Sequence, residues 1–142
     1  MLVEQILKTK GSDVVHVSAD ADLQTVVNLL DERRIGAVVA FGSKGEIVGV
    51  ISERDVIRNL ARHGVDALSL PVSGAMTRDV VTATPSDSVD ACLQAMTDRR
   101  IRHLPVLRNG ALVGLVSIGD LVKWKIAETE AEAEQLKAYV SS

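Results

Sequence analysis

Aromatic side chains are nearly missing from this 142-residue chain, and their scarcity excludes one class of function. The aromatics are Phe41, Trp124 and Tyr139, so few side chains could stack on the bases of a single-stranded nucleic acid. The net charge of −3 at pH 7 also lacks the basic surface that nucleic-acid binding requires. We therefore expect no nucleic-acid partner.

Cysteine and closely spaced histidines are equally scarce. Cys92 is the single cysteine, which excludes an intramolecular disulfide and favours a reducing compartment. It lies in an apolar helical stripe, so we predict a core residue rather than a nucleophile. His16, His63 and His103 lack the i, i+3 or i, i+4 spacing of a metal site. The sequence therefore predicts no metal.

Long hydrophobic runs are also lacking. No apolar segment approaches the roughly 20 residues that a membrane helix needs. Residues 1–5 do not form the basic region of a signal peptide. We expect a cytoplasmic protein with no membrane partner, and 142 residues, 46% of them apolar, suffice for a single compact domain.

The same sequence pattern occurs twice along the chain. Three segments of the first half return 65 or 66 positions later: residues 13–15 as 79–81, 33–35 as 99–101, and the V-G-x-x-S-x-x-D pattern of 48–55 as 113–120. Because one repeat alone is too small to bury a good core, we expect the two to pack as a pseudo-symmetric pair. A cleft between repeats is then the first place to look for function.

Each repeat predicts the order β-α-β-β-α, so the fold class is α/β, a mixed α+β arrangement of two such repeats. The first strands are residues 14–17 and 80–83, and the hairpins are 37–41 with 47–51 and 103–107 with 112–116. Apolar residues at i, i+3, i+4 and i+7 mark the first helix of each repeat: Leu23, Val26, Val27, Leu30 and Val89, Cys92, Leu93, Met96.

We divide the chain into four parts by these repeats. Residues 1–64 are the first repeat with a helical lead-in, 65–78 a linker with a second lead-in, 79–126 the second repeat, and 127–142 an acidic C-terminal helix. The C-terminal helix has few large apolar residues, which leaves two interpretations open. It is either a partly frayed, solvated helix or a helix that packs on a partner subunit.

The most specific local pattern is Gly-x-x-Ser-x-x-Asp at the end of an apolar strand. Ser52 and Ser117 would cap the helices that follow, with Asp55 and Asp120 completing a capping box. The same residues suit a ligand. The glycine would let a ligand approach the backbone, and the carboxylate could accept hydrogen bonds from both hydroxyls of a ribose. A ribose beside a helix N-terminus indicates a nucleotide.

The two copies differ beside this motif. The second repeat has Arg102 and His103 where the first has Gly36 and Ala37, and the first has Arg54 inside its motif. The planar donor fork of arginine suits phosphate oxygens. We therefore predict phosphate contacts in the second repeat, with a solvated arginine and a half-buried structural histidine as the alternatives.

Residues 49–55, 100–106 and 114–120 resemble the signature of tandem CBS domains, the cystathionine-beta-synthase-type repeats that pair into a Bateman module. The resemblance covers nearly the whole chain and is closest to stand-alone bacterial-type CBS proteins. It implies β-α-β-β-α repeats related by a pseudo-twofold axis, with two clefts between them. Such clefts commonly bind AMP, ADP or ATP, and less often NAD or S-adenosylmethionine.

The resemblance also implies roles for individual residues. Asp55 and Asp120 would hold ribose hydroxyls, with Ser52 and Ser117 beside them. Further ligand contacts would come from neighbouring segments: Arg54, Arg102 and His103 for phosphate, Val38 and Leu104 for adenine, Thr82 or Thr84 near the second adenine, and Lys10 from the lead-in.

The function predicted from these observations is a regulatory sensor that binds an adenine nucleotide and signals to an unknown partner protein as a homodimer. An enzyme is disfavoured because the sequence has no nucleophile beside a base, no phosphate-cradling Gly-Lys-Ser/Thr loop and no paired carboxylates for magnesium. The alternative is a ligand-free structural dimerisation module in which both motifs are only helix caps.

Overall fold

The computed structural model describes residues 1–141, which form two compact units. The first unit is Val14–Val80, and the second combines Met1–Asp13 with the chain from Val81 onward. In chain order the elements are α1 (Val3–Lys10), β1 (His16–Ser18), α2 (Leu23–Arg33), β2 (Ala37–Phe41), β3 (Ile47–Ser52), α3 (Glu53–His63), a 3₁₀ segment (Gly64–Ser69), α4 (Val72–Ala75), α5 (Val89–Arg99), β4 (His103–Arg108), β5 (Ala111–Ser117) and α6 (Ile118–Ser141).

The helices α2 and α5 occupy matching places in the two repeats and have the same boundaries for the same reasons. Asp22 and Ser88 cap them by accepting from the backbone N–H three residues on, at 2.9 and 3.0 Å. Both helices end at an arginine in the left-handed region, Arg34 with φ 52° and Arg100 with φ 55°. The predicted amphipathic helices are therefore confirmed, and their apolar stripes face the cores.

The first unit contains a three-stranded sheet. Strand β2 pairs in parallel with β1 and antiparallel with β3, in a register that places Ala37 opposite Ser52. The core lies between this sheet and α2, α3 and α4, with Leu23, Val26 and Ile51 fully buried. The hairpin prediction is confirmed. Its register places Ser52, which directly precedes α3, beside the start of β2.

The second unit has a two-stranded sheet, β4 with β5, in which His103 lies opposite Ser117. The lead-in helix α1 completes its core through Val3 and Ile6. The Val3 and Glu4 N–H groups donate to backbone oxygens of the segment before α5 at 2.9 Å. The lead-in thus packs with the second repeat, although it precedes the first one in the chain.

The strand predicted over residues 80–83 is wrong, since only Ala83 forms a bridge there, to Val106. In the first unit the Val39 N–H donates to the Val15 oxygen at 3.2 Å and extends the parallel ladder. The matching residue in β4 is Pro105, which has no N–H to donate. The ladder therefore stops after one bridge.

The C-terminal helix is longer than either of the two helices predicted for this region. The helix that begins after Ser117 and the acidic tail form one continuous element of 24 residues, α6. No Gly or Pro interrupts residues 120–141, and alanine and glutamate favour helix there. Its first half packs on the second unit through the buried Leu121 and the partly buried Trp124.

Candidate functional site

Both Ser-x-x-Asp motifs form the predicted capping boxes. The Ser52 N–H donates to Asp55 Oδ2 at 2.9 Å, and the Asp55 N–H points back to Ser52 Oγ at 3.4 Å. At α6 the Ser117 N–H donates to Asp120 Oδ2 at 2.9 Å, and the Asp120 N–H to Ser117 Oγ at 3.1 Å. Each carboxylate is thereby fixed at a helix N-terminus, where the helix dipole favours its negative charge.

Asp55 is buried, and both of its oxygens are already occupied. Its relative exposure is 3%. Besides Ser52, Arg58 donates to Oδ1 at 3.1 Å and the Thr77 hydroxyl donates to Oδ1 at 3.3 Å. The Asn59 amide also donates to the Asp55 backbone oxygen at 2.8 Å. The Asp55 carboxylate thus links β3, α3 and the second lead-in through hydrogen bonds.

Asp120 is in a more open and more positive environment. Its side chain is 25% exposed, and the Lys10 amino group forms an ion pair with Oδ2. Lys10 also donates to the Leu115 backbone oxygen at 2.8 Å, which fixes its position. Burial acts to raise the pKa of Asp120, but hydrogen bonds from Lys10 and Ser117 and the Lys10 charge outweigh it and hold that pKa below 3.8.

The motif glycines have a different role from the one expected. Instead of opening the backbone to a ligand, Gly49 and Gly114 make room for the lead-in segments. A Cβ on Gly49 would lie 2.9 Å from the Thr77 backbone oxygen and closer still to Met76, and one on Gly114 would lie 2.5 Å from Leu7. This interpretation of the glycine is therefore wrong, because protein atoms already fill the space beside it.

The predicted phosphate residues of the second repeat lie beside its capping box. His103 is opposite Ser117 in the hairpin register and is partly buried. The Arg102 backbone oxygen accepts from the Ile118 N–H at 2.8 Å, while its side chain is exposed. Lys10, Arg102 and His103 therefore all belong to segments that meet the N-terminus of α6.

The remaining predicted contacts are less favourably placed. Val38 and Leu104 are buried in the cores of their units at 0% and 1% exposure, so adenine contact with these side chains is disfavoured. Thr82 and Arg54 are exposed. The Thr84 hydroxyl lies 3.1 Å from that of Ser86, within the turn before α5.

Three contact residues of Asp55 were missed by sequence analysis: Arg58, Asn59 and Thr77. The first two lie one turn along α3, where spacing of i+3 and i+4 from an acidic residue is a signal that could have found them. Thr77 has no such signal, because its place depends on backbone pairing with Val50 at 2.9 and 3.0 Å.

A shallow groove of about 400 Å³ lies between α2 and α3 on the first unit. Its apolar floor includes Val27, Leu30 and Val56, and its polar lining is acidic, from Asp31 and Glu53. Carboxylates at this position would repel a phosphate, so the groove is a poor nucleotide site.

Within residues 1–141 no helix is long and apolar enough to cross a membrane, and no His, Cys, Asp and Glu side chains cluster as a metal site.

Comparison with known proteins settles the family. The CBS domain family model matches residues 3–62 and 72–127. This chain belongs to the CBS-domain family. The resemblance seen at residues 49–55, 100–106 and 114–120 is thereby confirmed, as is the fold class of a CBS pair.

Similar CBS proteins come from several kinds of organism. The mitochondrial CBS domain-containing protein CBSX3 of Arabidopsis thaliana is 32% identical over 97% of this chain and 71% of its own. The CBS-domain protein ATU1752 of Agrobacterium tumefaciens is 39% identical, with a TM-score of 0.83 over 86% of this chain and 91% of its own. The CBS pair of protein MJ0100, solved with 5′-methylthioadenosine and S-adenosyl-L-methionine, is 22% identical, and its TM-score of 0.80 over 90% of this chain and 98% of its own shows a shared fold.

Proposed function

We propose that this CBS pair binds an adenosine-containing regulatory ligand at the N-terminus of α6, where Asp120 holds the ribose, and that a partner protein responds to the bound state. The observation that carries the proposal is the partly exposed carboxylate of Asp120 with Lys10 beside it. Lys10 and the Ser117 N–H both donate to Oδ2 of this carboxylate. Oδ1 is therefore available to accept from a ribose hydroxyl.

The neighbouring charges favour a ligand that carries phosphate. Lys10 and Arg102 supply positive charge, and His103 supplies a further nitrogen near Ser117. Such a set suits the phosphates of AMP, ADP, ATP or NAD. The two ligands of the MJ0100 pair also contain adenosine, which is the portion that a ribose-binding carboxylate would recognise.

The first motif is proposed to act as a structural cap. Both oxygens of Asp55 already have donors, and a ribose would have to displace Arg58 or Thr77 from a buried site. A ribose would therefore only replace hydrogen bonds that this charged carboxylate already has. For the first repeat we therefore favour the alternative in which the motif is only a helix cap. We expect the two sites to bind ligand unequally.

The direct test is to denature the purified protein and search the supernatant for adenosine compounds by mass spectrometry. Protein first shown to be ligand-free should then be stabilised by about 2.7 kcal/mol at a hundredfold excess of ligand over its dissociation constant. A melting curve unchanged by millimolar AMP, ADP, ATP, NAD and S-adenosylmethionine would contradict the proposal.

Calorimetry on variants locates the site. Asp120→Ala should weaken binding at least ~10-fold, since losing a hydrogen bond to a charged group costs about 1.5–3 kcal/mol. Asp98→Ala is the control, because Asp98 lies on the surface of α5 and contacts only Gln94 in the described residues. Equal affinities of the two variants would remove Asp120 from the site.

Binding without chemistry is also part of the proposal. Lys10 and the Ser117 N–H both donate to Asp120 Oδ2, so neither group is placed there as a general base. ATP incubated with the protein and magnesium should be recovered intact. Hydrolysis that is lost in Asp120→Ala would favour the enzyme alternative.

A further inference from the structure

The last turns of α6 extend beyond the body of the second unit. The helix is held as far as Glu128, which pairs with the Met1 amino group at 3.0 Å, and Lys125 pairs with Asp90 at 2.9 Å. From Thr129 to Ser141 every residue is exposed. An isolated helical end of this length is marginal in water, so a packing partner would stabilise it.

Exposed apolar residues form one line along α6. Val122, Ile126, Leu136 and Val140 are 42%, 54%, 64% and 75% exposed. With Thr129 and Ala133 between them, the intervals alternate between four and three residues, which is the a/d spacing of a coiled coil. We call these six residues the α6 seam. It runs opposite the face that carries Leu121 and Trp124 against the unit's own core.

We propose that the α6 seam pairs with the same seam of a second copy of this chain as a parallel two-stranded coiled coil. From residue 122 to 140 the seam is about 27 Å long at the usual helical rise. This inference goes beyond ligand binding and does not depend on it.

Charges beside the seam identify both the partner and the direction. In a parallel pair each residue at position g faces the e residue five places later in the other helix. Glu132 would then face Lys137 of the second copy, and Lys125, which pairs with Asp90 in its own unit, would face Glu130, so both kinds of contact join opposite charges. The charges beside the α6 seam are thus complementary to those of a second copy.

An antiparallel pair about the middle of the seam would bring like charges together. Glu130 would face Glu130 of the second copy, and Glu132 would face Glu132. Like-charge contacts beside a coiled-coil seam are unfavourable. Lys137 is free to change partners, since its contact with Glu134 is 3.5 Å long and both side chains are 75% exposed.

Sedimentation equilibrium on the full chain tests the seam. Leu136→Lys should raise the dimer dissociation constant at least ~10-fold, because it places two charges in one apolar layer. Ala138→Lys, on the opposite side of the same helical turn, should leave it unchanged. Melting temperatures confirm that both variants fold. A monomeric wild-type protein, or equal dissociation constants for the two variants, would overturn the proposal.

Charge exchange tests the parallel direction. Glu132→Lys and Lys137→Glu should each weaken the dimer, and the double variant should restore it, because the facing pair is again of opposite sign. In an antiparallel pair about the middle of the seam, Lys137 would instead face Lys123 of the second copy, so Lys137→Glu alone would tighten the dimer. That result would overturn the parallel geometry.

A gain-of-affinity variant completes the test. Thr129 and Ala133 are the small or polar members of the seam, at d and a positions. Replacing them together, as Thr129→Leu with Ala133→Ile, supplies the residues that parallel dimers prefer and should tighten the dimer at least ~10-fold. An unchanged or weaker dimer would contradict the seam as the interface.

Discussion

The aspartates of the two Ser-x-x-Asp motifs have the same capping geometry and different surroundings. Asp55 has a 5% exposed side chain and accepts from Arg58, Thr77 and Ser52. Asp120 has a 25% exposed side chain and pairs with Lys10. A repeated motif thus fixes where a carboxylate sits, but not whether a ligand can reach it.

The lead-in segments produce much of this difference. In the first unit the lead-in contributes the neutral hydroxyl of Thr77, which completes a closed network around Asp55. In the second unit it contributes the amino group of Lys10, which is itself 39% exposed. The Lys10 charge attracts a phosphate, whereas the Thr77 hydroxyl is neutral and already donates to Asp55. The comparison therefore separates a structural site from a candidate binding site.

The largest effect should come from removing the buried carboxylate. Asp55→Ala should lower the free energy of unfolding by roughly 2–4 kcal/mol, because it removes a cap and all the hydrogen bonds that the buried carboxylate accepts. Asp120→Ala should cost about 1 kcal/mol, since water can solvate Lys10 and the cap N–H. Urea unfolding measures both, with the exposed Asp20→Ala as the control in the first unit. Equal losses for Asp55→Ala and Asp120→Ala would contradict the assignment of roles.

The motif glycines offer a second comparison. Gly49→Ala should destabilise the protein by about 1–3 kcal/mol, because the new methyl meets the Thr77 backbone oxygen, which cannot move alone. Gly114→Ala should cost less, because the methyl meets only the Leu7 side chain, which can change rotamer. Thermal unfolding of the two variants ranks them. A larger loss in Gly114→Ala would show that α1 holds the Leu7 side chain in place and prevents the change of rotamer.

The Lys10–Asp120 pair should stabilise the protein in a pH-dependent way. Because folding lowers the pKa of Asp120, the pair contributes above the carboxyl's ordinary value of 3.8 and is lost as the pH falls through the folded pKa. Lys10→Met should therefore be destabilising by less than about 1 kcal/mol at neutral pH, with a gap that shrinks on acidification. Urea unfolding across the acid range checks this, and Lys8→Met is the exposed control on the same helix. A gap that grows at low pH would be the wrong sign for an ion pair.

Sequence analysis predicted the helices, hairpins and caps because each depends on neighbouring residues. The stripe of α2 and the Ser52 cap are local features, and both are confirmed. The contact of Thr77 with Asp55 is not local, because it depends on a backbone pairing between Val50 and Thr77, 27 residues later. In the sequence Asp120 differed from Asp55 by its neighbours Arg102 and His103, and no local pattern indicated that Asp55 is buried.

Lys10 shows how the lead-in could be only partly predicted. The resemblance to CBS domains placed Lys10 near a ligand, and the structure places it on Asp120 of the other repeat. No periodic pattern links residues 110 positions apart. Helix α1 packs in the core of the second unit through Val3 and Ile6. This packing depends on contacts with residues far along the chain, and composition and periodicity do not predict such contacts.

The smallest effect should come from restoring the strand that Pro105 prevents. Pro105→Val supplies an N–H at the place where Val39 donates to Val15 in the first unit. If the proline alone stops the ladder, this N–H should bond to the Val81 oxygen and stabilise the second unit by up to about 1 kcal/mol. Hydrogen exchange is the sharper measurement, with the wild-type Val39 amide as the reference, since it reports the new bond even where the stability gain is small. Rapid exchange at residue 105 would mean that the chain around Val81 is held away from β4 by its own packing, and that the short strand has a cause other than the missing donor.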